Sequence, residues 1–195
     1  MLDLRNKEPE TTSTLVLLIE RCKTQDRDSQ RLLYKHHYGY AMSICLRYSR
    51  TREEAREILN DGFMKVFSKI DQYNPETSFL GWIRRIMINT AIDQYRKEEK
   101  HYNHASLETS THSLATTTTA IEDLSHQELI SMVQELTPGY RAVFNLYAID
   151  GYNHKEIASM LNISEGTSKS NLMKAREVLR YKLEKLQTVG YAKSV

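Results

Sequence analysis

Turn-forming residues are too scarce in this chain for a strand-rich fold. Only 7 glycines and 3 prolines serve 195 residues, whereas sheets need many tight turns and draw on these residues for them. Hydrophobic residues make up 40% and charged residues 27%, enough apolar material to bury a core. The apolar positions recur with helical period and nowhere alternate as in a strand. The expected fold class is therefore all-α, and the length suits one ordinary domain or two small ones.

The pattern runs as follows. A short helix is expected over 14–23. A second, over 28–48, carries Leu33, His37, Ala41, Ile44, Cys45 and Tyr48 on one stripe. A third opens at "TREE", where Thr51 can cap and Glu54 can reach back as in a capping box. Its buried stripe is Ala55, Ile58, Leu59, Gly62, Phe63, Val66, Phe67 and Ile70, and its opposite face shows Glu57, Asn60, Asp61 and Met64. Pro75 then keeps Asn74 out of helical geometry. A fourth helix, 79–97, points Leu80, Ile83, Met87, Ala91 and Tyr95 inward.

Composition changes at "SLETSTHSLATTTT", where nine of fourteen residues are Ser or Thr, and no Lys or Arg lies between His101 and Gln127. Such a stretch has little to offset the cost of ordering, so it predicts a flexible linker between two units with no fixed mutual arrangement. The expected organisation is a tail 1–13, a first domain 14–100, a linker 101–125, a second domain 126–187 and a tail 188–195. In the second domain, Leu129, Met132, Val133 and Leu136 lead to "LTPGYR", with Thr137 as cap and Pro138 in the first turn.

Ile157, Ala158 and Leu161 share a face just before Asn162, a residue that tolerates a left-handed backbone. Ser164 can cap the next helix, whose inward side is Ser168, Leu172, Ala175, Leu179, Leu183 and Leu186. Thr167, Lys169, Ser170, Met173 and Lys174 remain on the other side, and segment 154–182 holds six bases against three acids. A tight turn between two such helices is a helix-turn-helix layout. An ordinary helical hairpin with a solvated face fits these residues equally well on their own.

"LTPGYRAVFNLYAIDGYNHKEIASMLNISEGTSKSNLMKAREVL" resembles the fourth region of bacterial sigma-70-type factors, most closely those of the extracytoplasmic-function (ECF) group. "EEAREILNDGFMKVFSKIDQYNPETSFLGWIRRIMINTAIDQYRK" is similar to that group's second region. The resemblance implies a sigma factor that binds core RNA polymerase at its clamp helices and flap. It would direct promoter-specific initiation and aid melting, without catalytic residues, metal or cofactor. It assigns docking to Glu57, Asn60, Asp61 and Met64. It gives the −10 element to the loop Tyr73, Asn74, Glu76, Thr77 and Ser78, with Arg84, Arg85, Asn89 and Arg96 on the following helix. It gives the −35 element to Thr167, Lys169, Ser170, Met173 and Lys174. Ser168 and Asn171 depart from the usual Val and Arg. The resemblance leaves room for an anti-sigma protein as a further partner.

A stand-alone helix-turn-helix regulator is the alternative, but the helical residues 14–97 leave no strand-rich sensory domain. Adjacent pairs such as His36 and His37 or Glu53 and Glu54 diverge on a helix, and the 7 histidines and 2 cysteines lack ligand spacing. The apolar run 15–19 is too short to cross a bilayer, and a cytoplasmic protein without membrane insertion is expected.

Overall fold

A computed structural model describes residues 12–102 and 121–192, which form eight α-helices and no strand. The first unit holds α1 (Thr12–Lys23), α2 (Arg27–Tyr48), α3 (Arg52–Ser68), a 3-10 turn at Ile70–Gln72 and α4 (Phe79–Tyr102). The second holds α5 (Ile121–Gln134), α6 (Pro138–Phe144), a π-helical turn continuing it over Asn145–Ile149, α7 (His154–Leu161) and α8 (Glu165–Ala192). The Ser/Thr run of the expected linker lies outside the described residues. Helix nevertheless reaches into that span from both sides. α4 runs through "RKEEKHY", rich in the good helix formers Arg, Lys and Glu, and α5 starts at "IEDL". Among the described residues no helix is long and apolar enough to cross a membrane.

α2, α3 and α4 pack as a three-helix core with α1 laid against α2. Its centre is Leu33, Ile44, Leu59, Val66, Ile83 and Met87, all shielded from solvent. Gly62 lets α3 and α4 approach, since a Cβ there would lie 2.3 Å from the Met87 sulfur. Thr51 caps α3 by accepting from the Glu54 amide at 3.2 Å. The Glu54 carboxylate reaches back one residue further than a capping box requires, to the Arg50 amide at 2.7 Å.

Apolar residues at helix ends depart from the expected stripes. In α4 the buried row starts at Phe79 and continues through Ile83 and Met87, so Leu80, one step round the helix, is 45% exposed. Leu129 and Leu183 are also exposed. At 1.5 Å per residue α8 is about 42 Å long, and Leu183 lies where it continues past the buried Leu179.

The helix-turn-helix forms as expected. Asn162 closes α7 in the left-handed region (φ 55°, ψ 47°), and Ser164 caps α8 by accepting from the Thr167 amide at 2.9 Å. A capping box at the start of α7 pairs Asn153 with Glu156. Thr137 makes no side-chain cap, and Pro138 starts α6.

The described parts of the two units meet along one seam in this structure. Ala142, Val143, Leu146, Ile157, Leu161 and Leu172 share one continuous apolar cluster with the first unit's core. Gln134 donates to the Leu46 carbonyl at 2.9 Å and Asn145 to the Arg47 carbonyl at 2.7 Å. These bonds cap the exposed carbonyl end of α2 with side chains from the second unit, a use for unsatisfied carbonyls that local patterns cannot announce.

Leu172 links α8 to the core and is 5% exposed. Leu172→Ala is expected to cost about 2–5 kcal/mol, read as a lower midpoint in thermal or urea unfolding. An unchanged midpoint would mean that this position does not pack as described.

Candidate nucleic-acid interface

Exposed polar and basic side chains collect on two helices, one in each unit. On α8, Thr167, Lys169, Ser170, Met173 and Lys174 are all exposed, Met173 at 60%. Their helix is held by what lies beneath it. Leu172 and Ala175 are buried, and Ser168 is fully shielded with its hydroxyl 2.9 Å from His154 Nδ1. The inward Ser168, which stands where a Val is usual, thus has a hydrogen-bond partner. Tyr147 stacks on the His154 ring at 4.6 Å, and the Arg176 guanidinium lies 5.7 Å from the Tyr147 centroid. Together with Lys169, Met173 and Arg180 they line an open cleft of about 440 Å³ beside the exposed face of α8. Tyr147, His154, Arg176 and Arg180 were not singled out from sequence. Tyr147 and His154 lie in different elements, and only tertiary packing joins them.

On α4, Arg85 and Asn89 are exposed. They line an open groove with Tyr152, Lys155, Glu156 and Met160 of the second unit. Arg84 and Arg96 are differently placed. Arg84 donates to the Asp150 carboxylate at 2.7 and 3.1 Å and to the Ile149 carbonyl at 3.2 Å. Arg96 donates to the Ser159 carbonyl at 3.3 Å.

The loop before α4 is shaped by its own side chains. Tyr73 is buried against Phe79 and Trp82, with ring centroids 5.0 and 5.4 Å away, and its hydroxyl donates to the Thr77 carbonyl at 2.6 Å. Asn74 accepts from the Glu76 amide at 3.0 Å, Thr77 donates to the Asn74 carbonyl at 2.8 Å, and Ser78 accepts from the Gly81 amide at 3.3 Å. Glu76 and the outer atoms of Asn74, Thr77 and Ser78 face solvent. Such a loop presents polar edges on a rigid aromatic base, which suits an extruded nucleobase. On α3, Glu57, Asn60, Asp61 and Met64 form one exposed face, with Met64 71% exposed. Tyr34 donates to the Asn60 side chain at 3.4 Å.

The family models divide the chain as the fold does. One described as Sigma-70 region 2 matches residues 33–101, and one described as Sigma-70, region 4 matches residues 122–179. The chain belongs to the sigma-70 family, in its ECF group. Among curated sigma factors it is 27% identical over 179 residues to the ECF RNA polymerase sigma factor SigW of Bacillus subtilis, covering 86% of this chain and 96% of the relative. It is 27% identical over 173 residues to the RNA polymerase sigma factor CarQ of Myxococcus xanthus, covering 87% and 97%. A solved sigma factor, RpoE of Bartonella quintana bound to the anti-sigma factor NepR, matches at 20% identity with a TM-score of 0.47, over 79% of this chain and 96% of that one. In sigma-70 terms the α3 face and the α4 loop belong to region 2, and the helix-turn-helix to region 4.

Asp150 of region 4 sits where the two regions touch. Its side chain is completely shielded, and it accepts from Tyr48 Oη at 2.6 Å and from Arg84, with Arg47 Nη2 at 3.4 Å. Burial and the adjacent carboxylate hold the Tyr48 hydroxyl well above its usual range, and the bond to Asp150 raises Arg84 further. Asp150 sits in "IDGY", which reads as a plain turn, so no sequence signal marked it.

Tyr73→Phe keeps the aromatic base and removes only the hydroxyl that closes the loop. The expected cost is about 0.5–1.5 kcal/mol, with faster amide exchange confined to residues 74–78. Unchanged exchange there would show that the Tyr73–Thr77 bond does not hold the loop.

Proposed function

We propose that this chain is a promoter-specificity factor: it binds core bacterial RNA polymerase, directs it to −10 and −35 elements and aids promoter melting. The observation that carries this reading is the presence of region 2 and region 4 in one chain, in that order, on separate helical units. A stand-alone helix-turn-helix regulator has no use for the first unit. The chain's part is to bind and orient, while the polymerase performs the synthesis. It therefore works in the cytoplasm beside the polymerase, and an anti-sigma protein is a further partner of this reading. The direct test is run-off transcription by core polymerase with and without the chain. The proposal requires specific transcripts only when both are present.

Each surface takes one task. Glu57, Asn60, Asp61 and Met64 dock on the clamp helices of the polymerase, an acidic rim around an exposed methionine. The second unit meets the flap. The 73–78 loop holds a flipped −10 base: Asn74, Glu76, Thr77 and Ser78 supply polar edges, while Tyr73 acts from below by fixing the loop. Arg85 and Asn89 meet the adjoining strand, with Arg84 and Arg96 joining them once free. Thr167, Lys169, Ser170, Met173 and Lys174 read the −35 major groove. The domains proposed for these tasks are 14–100 and 126–187.

Glu57→Lys combined with Asp61→Lys reverses the sign of the docking face at exposed positions, where surface changes cost little stability. Affinity for core polymerase should fall by about tenfold or more, ~1.4 kcal/mol, with an unchanged melt. Equal affinity would move the docking site elsewhere.

Lys174→Ala distinguishes two kinds of DNA contact. A base contact predicts a loss of about 1–3 kcal/mol and relaxed preference at one −35 position. A phosphate contact predicts uniform weakening and a salt slope flatter by about one. Normal transcription from every −35-dependent promoter would remove Lys174 from the interface.

A further inference from the structure

We infer that His154 is a positioning residue for −35 recognition: through Ser168 it fixes the rotation of α8, and with it which −35 bases Thr167, Lys169 and Ser170 can reach. The inference rests on the sigma-factor reading and adds to it a residue that lies off the reading face.

The start of α8 has a single inward anchor. Over residues 165–171, Ser168 is the one buried side chain, while Thr167, Lys169 and Ser170 around it are exposed. The next buried positions, Leu172, Ala175 and Leu179, lie further along the helix. A Val at this position, usual in the family, would hold the turn by burying a branched apolar side chain. A Ser buries almost no apolar area, so the holding falls to its hydroxyl.

That hydroxyl bonds across the turn and not along its own helix. Helical Ser and Thr often bond a carbonyl of the preceding turn, as Thr90, Ser131 and Ser170 do in this chain at 2.8, 2.8 and 3.0 Å. Ser168 Oγ instead meets His154 Nδ1 at 2.9 Å, 14 residues away on α7.

His154 can hold α8 because it is itself held. It is the first residue of α7, directly after Asn153, whose capping box with Glu156 fixes this end of the helix. Ile157 and Leu161 are buried behind it. The imidazole stacks on Tyr147, with centroids 4.6 Å apart and planes at 22°. The Arg176 guanidinium of α8 lies over the same Tyr147 ring at 5.7 Å. α8 is therefore gripped at Ser168 and again at Arg176, about 12 Å further along at 1.5 Å per residue. Both grips lead back to one imidazole, and two attachments so spaced fix tilt as well as rotation.

Small rotations matter at a base edge. At the ~5–6 Å outer radius of a helix, a turn of about 10° carries a side chain about 1 Å. N–H···O bonds keep to about 2.7–3.2 Å, so a shift of that size breaks a paired contact to one base or moves it to the next. A chain loosened here loses discrimination between −35 sequences while α8 stays packed through Leu172 and Ala175.

The test uses the full chain with core polymerase. The template is a promoter on which the parent initiates, with its −35 element randomised and all else constant, and the run-off RNA is sequenced by template. His154→Phe keeps an aromatic ring against Tyr147 and removes Nδ1. Ser168→Ala removes the other partner. The parent is expected to favour one −35 sequence. In each variant the preference for that sequence over its single mismatches should fall by about three- to tenfold. The double variant should be no worse than either single one, because all three lose the same bond. Ser168→Val supplies the rescue: it anchors the turn by packing, so adding His154→Phe to it should leave selectivity unchanged. A merely structural role would lower the yield from every template alike and keep the −35 ranking, which overturns the proposal. Effects that multiply in the double variant also overturn it. If His154→Phe fails to fold, Ser168→Ala alone decides. A parent that initiates without any −35 preference overturns the proposal together with the assignment of α8. A parent that gives no specific transcripts refutes the sigma-factor reading, whereas a selective parent whose variants keep its ranking refutes only the role of His154.

Discussion

A carboxylate with no solvent contact organises the arrangement of the two helical units. Moving a lone charge out of water costs several kcal/mol, so Asp150 can be buried only where cations and donors meet it. Tyr48 and Arg47 at the end of α2 and Arg84 on α4 satisfy that demand. The π-helical turn before it contributes Asn145, which caps the same end of α2 through the Arg47 carbonyl. Ala142, Val143, Leu146, Ile157, Leu161 and Leu172 join the first unit's apolar cluster, while Met132, Val133, Leu136, Ala175 and Leu179 form a second one within the second unit. The faces left outside, α3 with Met64 and α8 with Met173 and Lys174, are those assigned to polymerase and to the −35 element.

Helix α8 depends on a second, local set of constraints. Asn162 turns the chain in the left-handed region, Ser164 caps α8, and the Asn153–Glu156 pair caps α7. Leu172 and Ala175 then bury one side of α8, so that Lys169, Met173 and Lys174 must face out. Ser168 lies on the buried side and would be an unsatisfied hydroxyl without His154. The stack of His154, Tyr147 and Arg176 carries this support to the rim of the exposed face.

The elements and their buried faces were legible because helical period and capping are local. The α3 stripe, the Pro75 break, the Asn162 turn and the Ser164 cap all follow from residues within a few positions of one another. The Asn153–Glu156 capping box is equally local, a cap residue with Glu three positions on. Leu80, Leu129 and Leu183 were misplaced because periodicity cannot tell how far a neighbouring helix extends. The seam was invisible for a different reason. Arg84 and Asp150 stand 66 residues apart, and an arginine on a polar helix face reads as a DNA contact whether or not a carboxylate reaches it. The same holds for Tyr73, whose burial under the loop depends on Phe79 and Trp82 folding back beneath it.

The division of labour between the two units is tested most directly by footprinting a promoter bound by core polymerase together with this chain. The account predicts two separate protected segments, at the −10 and −35 elements, with reactive unpaired bases beside the first, and neither pattern with core polymerase alone. A single protected segment, unchanged when polymerase is withheld, would contradict it and return the chain to the class of stand-alone helix-turn-helix regulators.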